Sequence, residues 1–385
     1  MTAARWAGFV VGLFVVLGTA VSVVFTLVVP RAVGSRLAVA NRMAWRAISH
    51  WAAERVEDYY AKDRILAATG PMALLSLFGL WLAVFVVGYA LILWPLTGHG
   101  FLEGLRQVGS SIPTLGTASS PRAAVTAVDD LAAATGLVVV ALEIAYLPTI
   151  YAAFNRRETL VTMLESRAGA PAWGPEILAR HQLVGIMNSL PDFYATWEQW
   201  AADLAESHTN YPALVLFRSP NPLRSWIVAL TAVLDSAALY LSLSPASAPS
   251  QARLCLRMGF VSLRDIARSW RIPFDPDPLP DAPLRLTYEE FLVGVERMAE
   301  AGFTPERPAE EAWAHFRGWR VNYEAIVYEL ANRIYAAPGP WSGPRHNIGS
   351  IEPRRPLDRT PDDPEAVRRG GGRWRGPRTP TLPPS

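Results

Sequence analysis

Three stretches of the chain are too apolar to face water. Residues 7–29 (AGFVVGLFVVLGTAVSVVFTLVV) and 72–94 (MALLSLFGLWLAVFVVGYALILW) contain no charged side chain, and residues 131–154 (LAAATGLVVVALEIAYLPTIYAAF) contain only Glu143. Each is long enough to cross a hydrocarbon core of about 30 Å at about 1.5 Å per residue. Inside lipid the backbone must satisfy its own polar groups, so each run folds as a helix. These runs predict an all-α membrane protein with three transmembrane helices, a multi-pass protein of the cell inner (plasma) membrane. The first run exceeds the 7–15 apolar residues typical of a cleaved signal, which makes residues 1–30 a retained first helix.

Basic residues in the short loops set an orientation. Arg31, Arg36, Arg42, Arg46, Arg55, Lys62 and Arg64 lie between the first and second runs, and Arg156 and Arg157 follow the third, whereas the loop joining the second and third offers only Arg106 and Arg122. The expected topology places the N-terminus outside, residues 31–70 inside, the 96–128 loop outside and the C-terminal domain in the cytoplasm. Within residues 37–66, Trp45, Ile48, Ala52, Val56 and Tyr59 recur at helical spacing opposite Arg46, His50, Glu54 and Glu57. That spacing predicts one amphipathic linker helix, either lying with Trp45 and Trp51 on the inner membrane surface or packed on the cytoplasmic domain.

Residues 156–337 alternate helical apolar spacing with Pro, Thr and Gly boundaries and carry almost no strand signal, so a mainly helical cytoplasmic domain is expected. Residues 225–243 are apolar enough for a fourth crossing, but Asp235 at the centre and Arg224 at the start favour a buried core helix. Residues 338–385 are so rich in proline and arginine that a disordered basic tail is expected.

Several function classes drop out. The single cysteine, Cys255, leaves no thiol pair for a disulfide, zinc or redox centre, and a net charge of +2 implies no nucleic-acid partner. Phosphate-loop, dinucleotide-turn and HExxH patterns are absent, and His181, His208 and His315 lack ligand spacing. No enzyme, cofactor or metal is expected. The acids of FDPDPLPD at 274–281 alternate with prolines and suit a linker; no chemistry attaches to HTNYPALVLFRSPNP at 208–222.

Between the second and third apolar runs the chain reads FLEGLRQVGSSI and then PTLGTASS, spanning residues 101–120. Phe101, Leu105, Val108 and Ile112 share one helical face, as in a packed pore helix whose C-terminal dipole end favours a cation. Thr114 offers hydroxyl and carbonyl oxygens, and Gly116 permits the positive φ that turns successive carbonyls to one axis. These residues resemble the potassium-channel superfamily in its two-helix pore-loop form: Thr114, Leu115, Gly116, Thr117, Ala118 and Ser119 are similar to its Thr-Val-Gly-Tyr-Gly-Asp filter. Thr117 stands where that family has its aromatic, Ala118 where it has the second glycine and Ser119 where it has the acid. With LPTIYAAFNRRE after the third run, the chain also resembles a bacterial group of channel-like membrane proteins with a large helical cytoplasmic domain.

The resemblance implies a pore module over residues 71–155, with a re-entrant loop over 101–120 and a filter at Thr114, Leu115, Gly116, Thr117 and Ala118. Gly136 matches the inner-helix bend if that helix starts near Asp129, Pro148 a kink near a gate, and Glu143 a charge lining the pore or bonding a neighbouring helix. Asp129 and Asp130 stand at the outer mouth or at the helix start. The implied protein is a homotetramer in a lipid bilayer that passes a monovalent cation, potassium first. The same residues also suit a non-conducting, membrane-anchored interaction or sensor protein acting through its cytoplasmic helices.

Overall fold

The computed structural model describes residues 2–29, 35–97, 100–112, 122–345, 354, 355 and 358. Regular structure among them is helical, apart from one isolated bridge between Ala170 and Arg354. The first six helices are α1 (Thr2–Leu27), α2 (Arg36–Ala53), α3 (Tyr59–Ala67), α4 (Thr69–Thr97), α5 (Phe101–Ser111) and α6 (Ala123–Ala168). Seven follow: α7 (Gly174–Leu183), α8 (Leu190–Asn210), α9 (Trp226–Leu243), α10 (Ser250–Ser269), α11 (Tyr288–Glu300), α12 (Ala309–Arg320) and α13 (Glu324–Arg333). Short 3-10 turns cover Met187–Ser189 and Pro212–Leu216.

Helix α4 is the hub of the apolar bundle, touching α1, α2, α5 and α6. Small residues bring α1 close: a Cβ on Gly12 would stand 2.6 Å from the carbonyl of Gly88, so the two backbones meet where neither carries a side chain. One hydrogen bond fixes the pair laterally, from Trp81 Nε1 to Ser22 Oγ at 3.0 Å. The outward faces of α1 and α6 remain uncovered, with Phe14 71 %, Leu137 64 % and Ile144 67 % exposed. Apolar surface of that extent on long helices fits hydrocarbon, and the protein is membrane-embedded.

Four helical stretches are long and apolar enough to cross a membrane, but 94 % of the α9 window is buried inside the chain. Helices α6, α7, α8, α10, α12 and α13 surround it. Asp235, halfway along α9, accepts hydrogen bonds from Arg320 and, at 2.7 Å, from Tyr323 Oη. The charge that made a fourth crossing expensive is thus paired inside a helical core.

Three expected boundaries are corrected. The single helix over residues 37–66 is two, because Asp58 caps α3 by accepting from the Ala61 N–H at 2.8 Å and the chain turns between. Ile48 and Trp51 are exposed, Trp45 bonds Ser76 of α4, and Arg42, Arg46 and His50 turn toward α10 and α13. The boundary placed at 155/156 falls inside α6, which runs unbroken from the bundle into the helical domain. Residues 338–345, expected to belong to the tail, are part of the domain: Trp341 and Arg345 are buried on it, and Arg345 donates to the carbonyls of Ala336 and Ser342 at 3.0 and 2.7 Å.

The domain buries neutral histidines. His208 is held well below its ordinary 6.5, first by burial and then by the Arg157 guanidinium beside it; burial also lowers His181. As pH falls below the ordinary histidine value, the unfolded chain takes up protons that the folded chain refuses. Stability is therefore expected to fall on acidification, with a slope approaching about 1.4 kcal/mol per pH unit for His208 alone. Thermal melts from about pH 7.5 down to about pH 5.5 check this, and His208→Gln should flatten the profile; a midpoint that climbs on acidification contradicts it.

Candidate functional site

The filter residues Thr114, Leu115, Gly116, Thr117 and Ala118 lie outside the described residues, whereas the helices on either side do not. Helix α5 starts where α4 ends and runs back along it. Phe101 packs edge-on against Trp94, and a Cβ on Gly104 would lie 3.1 Å from the carbonyl of Ala90, an earlier turn of α4. At its far end the carbonyl of Ile112 approaches Gly136 of α6 so closely that a Cβ there would stand 2.2 Å away. Arg122, one residue before α6, donates to the carbonyls of Leu96 and Thr97 at 2.8 Å each and so marks the rim of the bundle. Measured from Arg122 to Gly136 along the helix at about 1.5 Å per residue, α5 ends roughly 20 Å below that rim.

Polar contacts hold α5 at this depth. Asp129 of α6 accepts from Gln107 Nε2 at 2.5 Å and from Ser111 Oγ at 3.3 Å. Just below, Tyr89 Oη and Thr135 Oγ1 lie 2.7 Å apart and join α4 to α6 at the level where α5 stops. In a span whose surroundings offer no water, each such pair is worth more as a fixed register than as raw energy.

The structure redistributes the expected roles along α6. Because this helix begins at Ala123, Asp129 and Asp130 sit in its second turn and do not cap it; Asp129 ties α5 in place, and Asp130 is exposed. Gly136 is a close-approach position: its missing side chain is the space that the Ile112 carbonyl occupies. Glu143 belongs to the covered stripe that also holds Val139, Tyr146 and Ile150, is 9 % exposed, and keeps one carboxylate oxygen, Oε1, without a hydrogen-bond partner. It does not share the uncovered face with Leu137 and Ile144. Pro148 does lie on an exposed side of α6.

The stretch 208–222, to which no chemistry was attached, fastens the two halves together. Its 3-10 turn drives Leu214 and Phe217 into the apolar cluster of the bundle, and a Cβ on Gly70 of α4 would meet the Phe217 ring at 2.5 Å. The fully buried Arg157 of α6 donates to the carbonyls of Leu214 and Phe217 at 2.9 and 2.7 Å and to Glu158 Oε1 at 2.8 Å. Arg218 clamps the other side, donating to Asp63 Oδ1 of α3 at 2.6 Å and to the carbonyls of Ile334 and Tyr335 at 2.6 and 3.1 Å. The base of α4 and α6 therefore cannot move without the helical domain. Neither arginine was identifiable from the sequence, since their partners lie far along the chain.

Among the described residues no group of three or more His, Cys, Asp or Glu side chains is placed to hold a metal ion. Comparison of the chain with protein-family models, curated proteins and solved structures finds no match.

Proposed function

We propose that the chain is a cation channel of the potassium-channel type, a homotetramer with a re-entrant pore loop over residues 101–120 in which Thr114, Leu115, Gly116, Thr117 and Ala118 supply one quarter of a filter for a monovalent cation, potassium first. The observation that carries this reading is the depth of α5. A connecting loop on the surface has no reason to begin with a helix that runs about 16 Å back between two crossings. A pore loop requires it, because irregular backbone at membrane depth is tolerated only where protein or water covers it.

Two further features support it. Helix α5 turns the negative end of its dipole toward the interior of the bundle, which lowers the energy of a cation there. The uncovered faces of α1 and α6 leave apolar surface for neighbouring subunits as well as lipid. In this reading the N-terminus is outside, the helical domain is cytoplasmic, and motion of that domain reaches the pore through Arg157 and the turn bearing Phe217.

Liposomes containing the purified full-length chain should pass monovalent cations, and Gly116→Asp should abolish the flux without lowering the amount of inserted protein. The detergent-solubilised chain should have the mass of a tetramer. A monomer or dimer without flux across voltage and pH would remove the channel reading and leave a membrane-anchored sensor or interaction protein.

A further inference from the structure

A cleft of about 820 Å³ separates α2 from the ends of α10 and α13, and its wall is strongly basic. Four guanidiniums, Arg42, Arg46, Arg271 and Arg333, face two carboxylates, Glu54 and Glu329. Both carboxylates already have partners in the cleft wall: Glu329 accepts from Arg333 Nε at 2.6 Å, and Glu54 accepts from Tyr335 Oη at 3.1 Å. Among the described residues Arg46 and Arg271 have no ion-pair partner, and Arg42 has only the Trp270 ring, 5.0 Å from its guanidinium carbon. Three like charges are thus gathered with no carboxylate in ion-pair contact among the described residues, Glu329 acting on Arg46 only at longer range.

Two neutral donors lie in the wall of the same space. Ser269 and Trp270 both line the cleft, and their Oγ and Nε1 atoms are shut off from solvent without a hydrogen-bond partner. An unmade hydrogen bond on a buried donor is costly. The backbone adds a third sign. Helices α10 and α13 each end in a left-handed residue where glycine is the ordinary choice, yet those residues are Arg271, at φ 50°, and Tyr335, at φ 49°. The close of each helix, through Ile272 N–H to Ala267 O and Ala336 N–H to Ala331 O, needs the conformation but not the side chain. The two side chains placed there at the cost of strain are cleft residues.

We infer that this cleft is a binding site for a phosphate-bearing anion, held by Arg42, Arg46 and Arg271. Guanidinium forks match phosphate oxygens in pairs, and the space exceeds what a bare inorganic ion fills. Burial, then Arg46 and Arg271, already depress the Arg42 guanidinium to about 10, the electrostatic mark of a site short of negative charge. The ligand chemistry has two possible sources, a soluble phosphate compound or an anionic lipid headgroup, for α2 carries Ile48 and Trp51 exposed outside the cleft that Arg46 and His50 line. Trp45 Nε1 bonds Ser76 Oγ of α4 at 2.5 Å, so an occupant of the cleft would join the helical domain to the bundle. Binding at this site is independent of conduction.

The test uses the full-length chain. ATP and inorganic pyrophosphate are titrated in detergent while thermal unfolding is followed, and separate melts compare nanodiscs of phosphatidylcholine with and without phosphatidylglycerol. A saturable rise with ATP or pyrophosphate assigns a soluble ligand, and a rise with phosphatidylglycerol alone assigns the headgroup. In either case Arg46→Gln with Arg271→Gln should weaken the effect about tenfold or more. That double variant should melt at or above the wild type without ligand, since it removes repulsion, and Arg46→Lys with Arg271→Lys should retain part of the binding. No stabilisation by any of these probes, or equal stabilisation of the glutamine variant, overturns the assignment.

Discussion

Arg320→Leu is expected to lower the melting temperature of the helical domain by roughly 10 °C. Arg320 is completely buried and bonds Asp235, Glu324 Oε2 at 2.7 Å, Tyr328 Oη at 3.2 Å and the carbonyl of Trp341. Burial works against its charge, but Asp235 and its other neighbours hold the guanidinium protonated, well above its ordinary range. Replacing it leaves Asp235 at the centre of α9 with only the Tyr323 hydroxyl, and burial, with Glu324 adding to it, lifts that carboxyl. Breaking one side of a buried pair costs about 3–5 kcal/mol, and a domain of this size loses about 2–4 °C per kcal/mol. The double variant Asp235→Leu, Arg320→Leu should recover a substantial part, because an apolar pair of similar volume replaces the stranded charge. If the single variant melts with the wild type, the pair is not what allows an acid to sit in so apolar a helix.

On the proposed channel reading, Gly136→Val should disable the pore assembly while leaving the rest of the chain folded. Its Cβ would be 2.2 Å from the Ile112 carbonyl, a backbone atom that moves only if the end of α5 moves with it. Overpacking of this kind costs about 1–3 kcal/mol. More important is the displacement, since α5 carries the chain into residues 113–121. Cation flux should fall to background and the bundle should melt earlier, whereas Gly79→Val in α4, with open space around its Cβ, should change neither. A hinge at Gly136 makes the opposite forecast, an intact bundle with altered opening, so a Gly136→Val protein of wild-type stability would restore the hinge reading.

The contrast at Gly136 illustrates what was legible in the residues. Glycine inside an apolar helix reads equally as bend or contact, and only the folded chain brings the Ile112 carbonyl to it. At α2 the period was readable but its sense was not: helical spacing says that a helix has an apolar side, and here Ile48 of that side is left open while Arg42, Arg46 and His50 face the domain. The docking residues Arg157 and Arg218 gave no local signal, because a carbonyl of Leu214 or Tyr335 can be brought to them only by the folded chain. The same holds for residues 338–345, whose proline content suggested a tail although Trp341 has a place in the core.

Sequence alone determined the class of the molecule: uncharged runs of membrane length must be helical in lipid, and the spacing of apolar residues beyond them allows a helical domain and little else. It also located α5, whose amphipathic period survives in the fold. Tertiary structure decided which apolar helix is covered by protein, how deep α5 runs, and where unpaired arginines collect. Those outcomes depend on contacts between residues distant in the chain, and pairwise packing and charge pairing across such separations leave no trace in local periodicity.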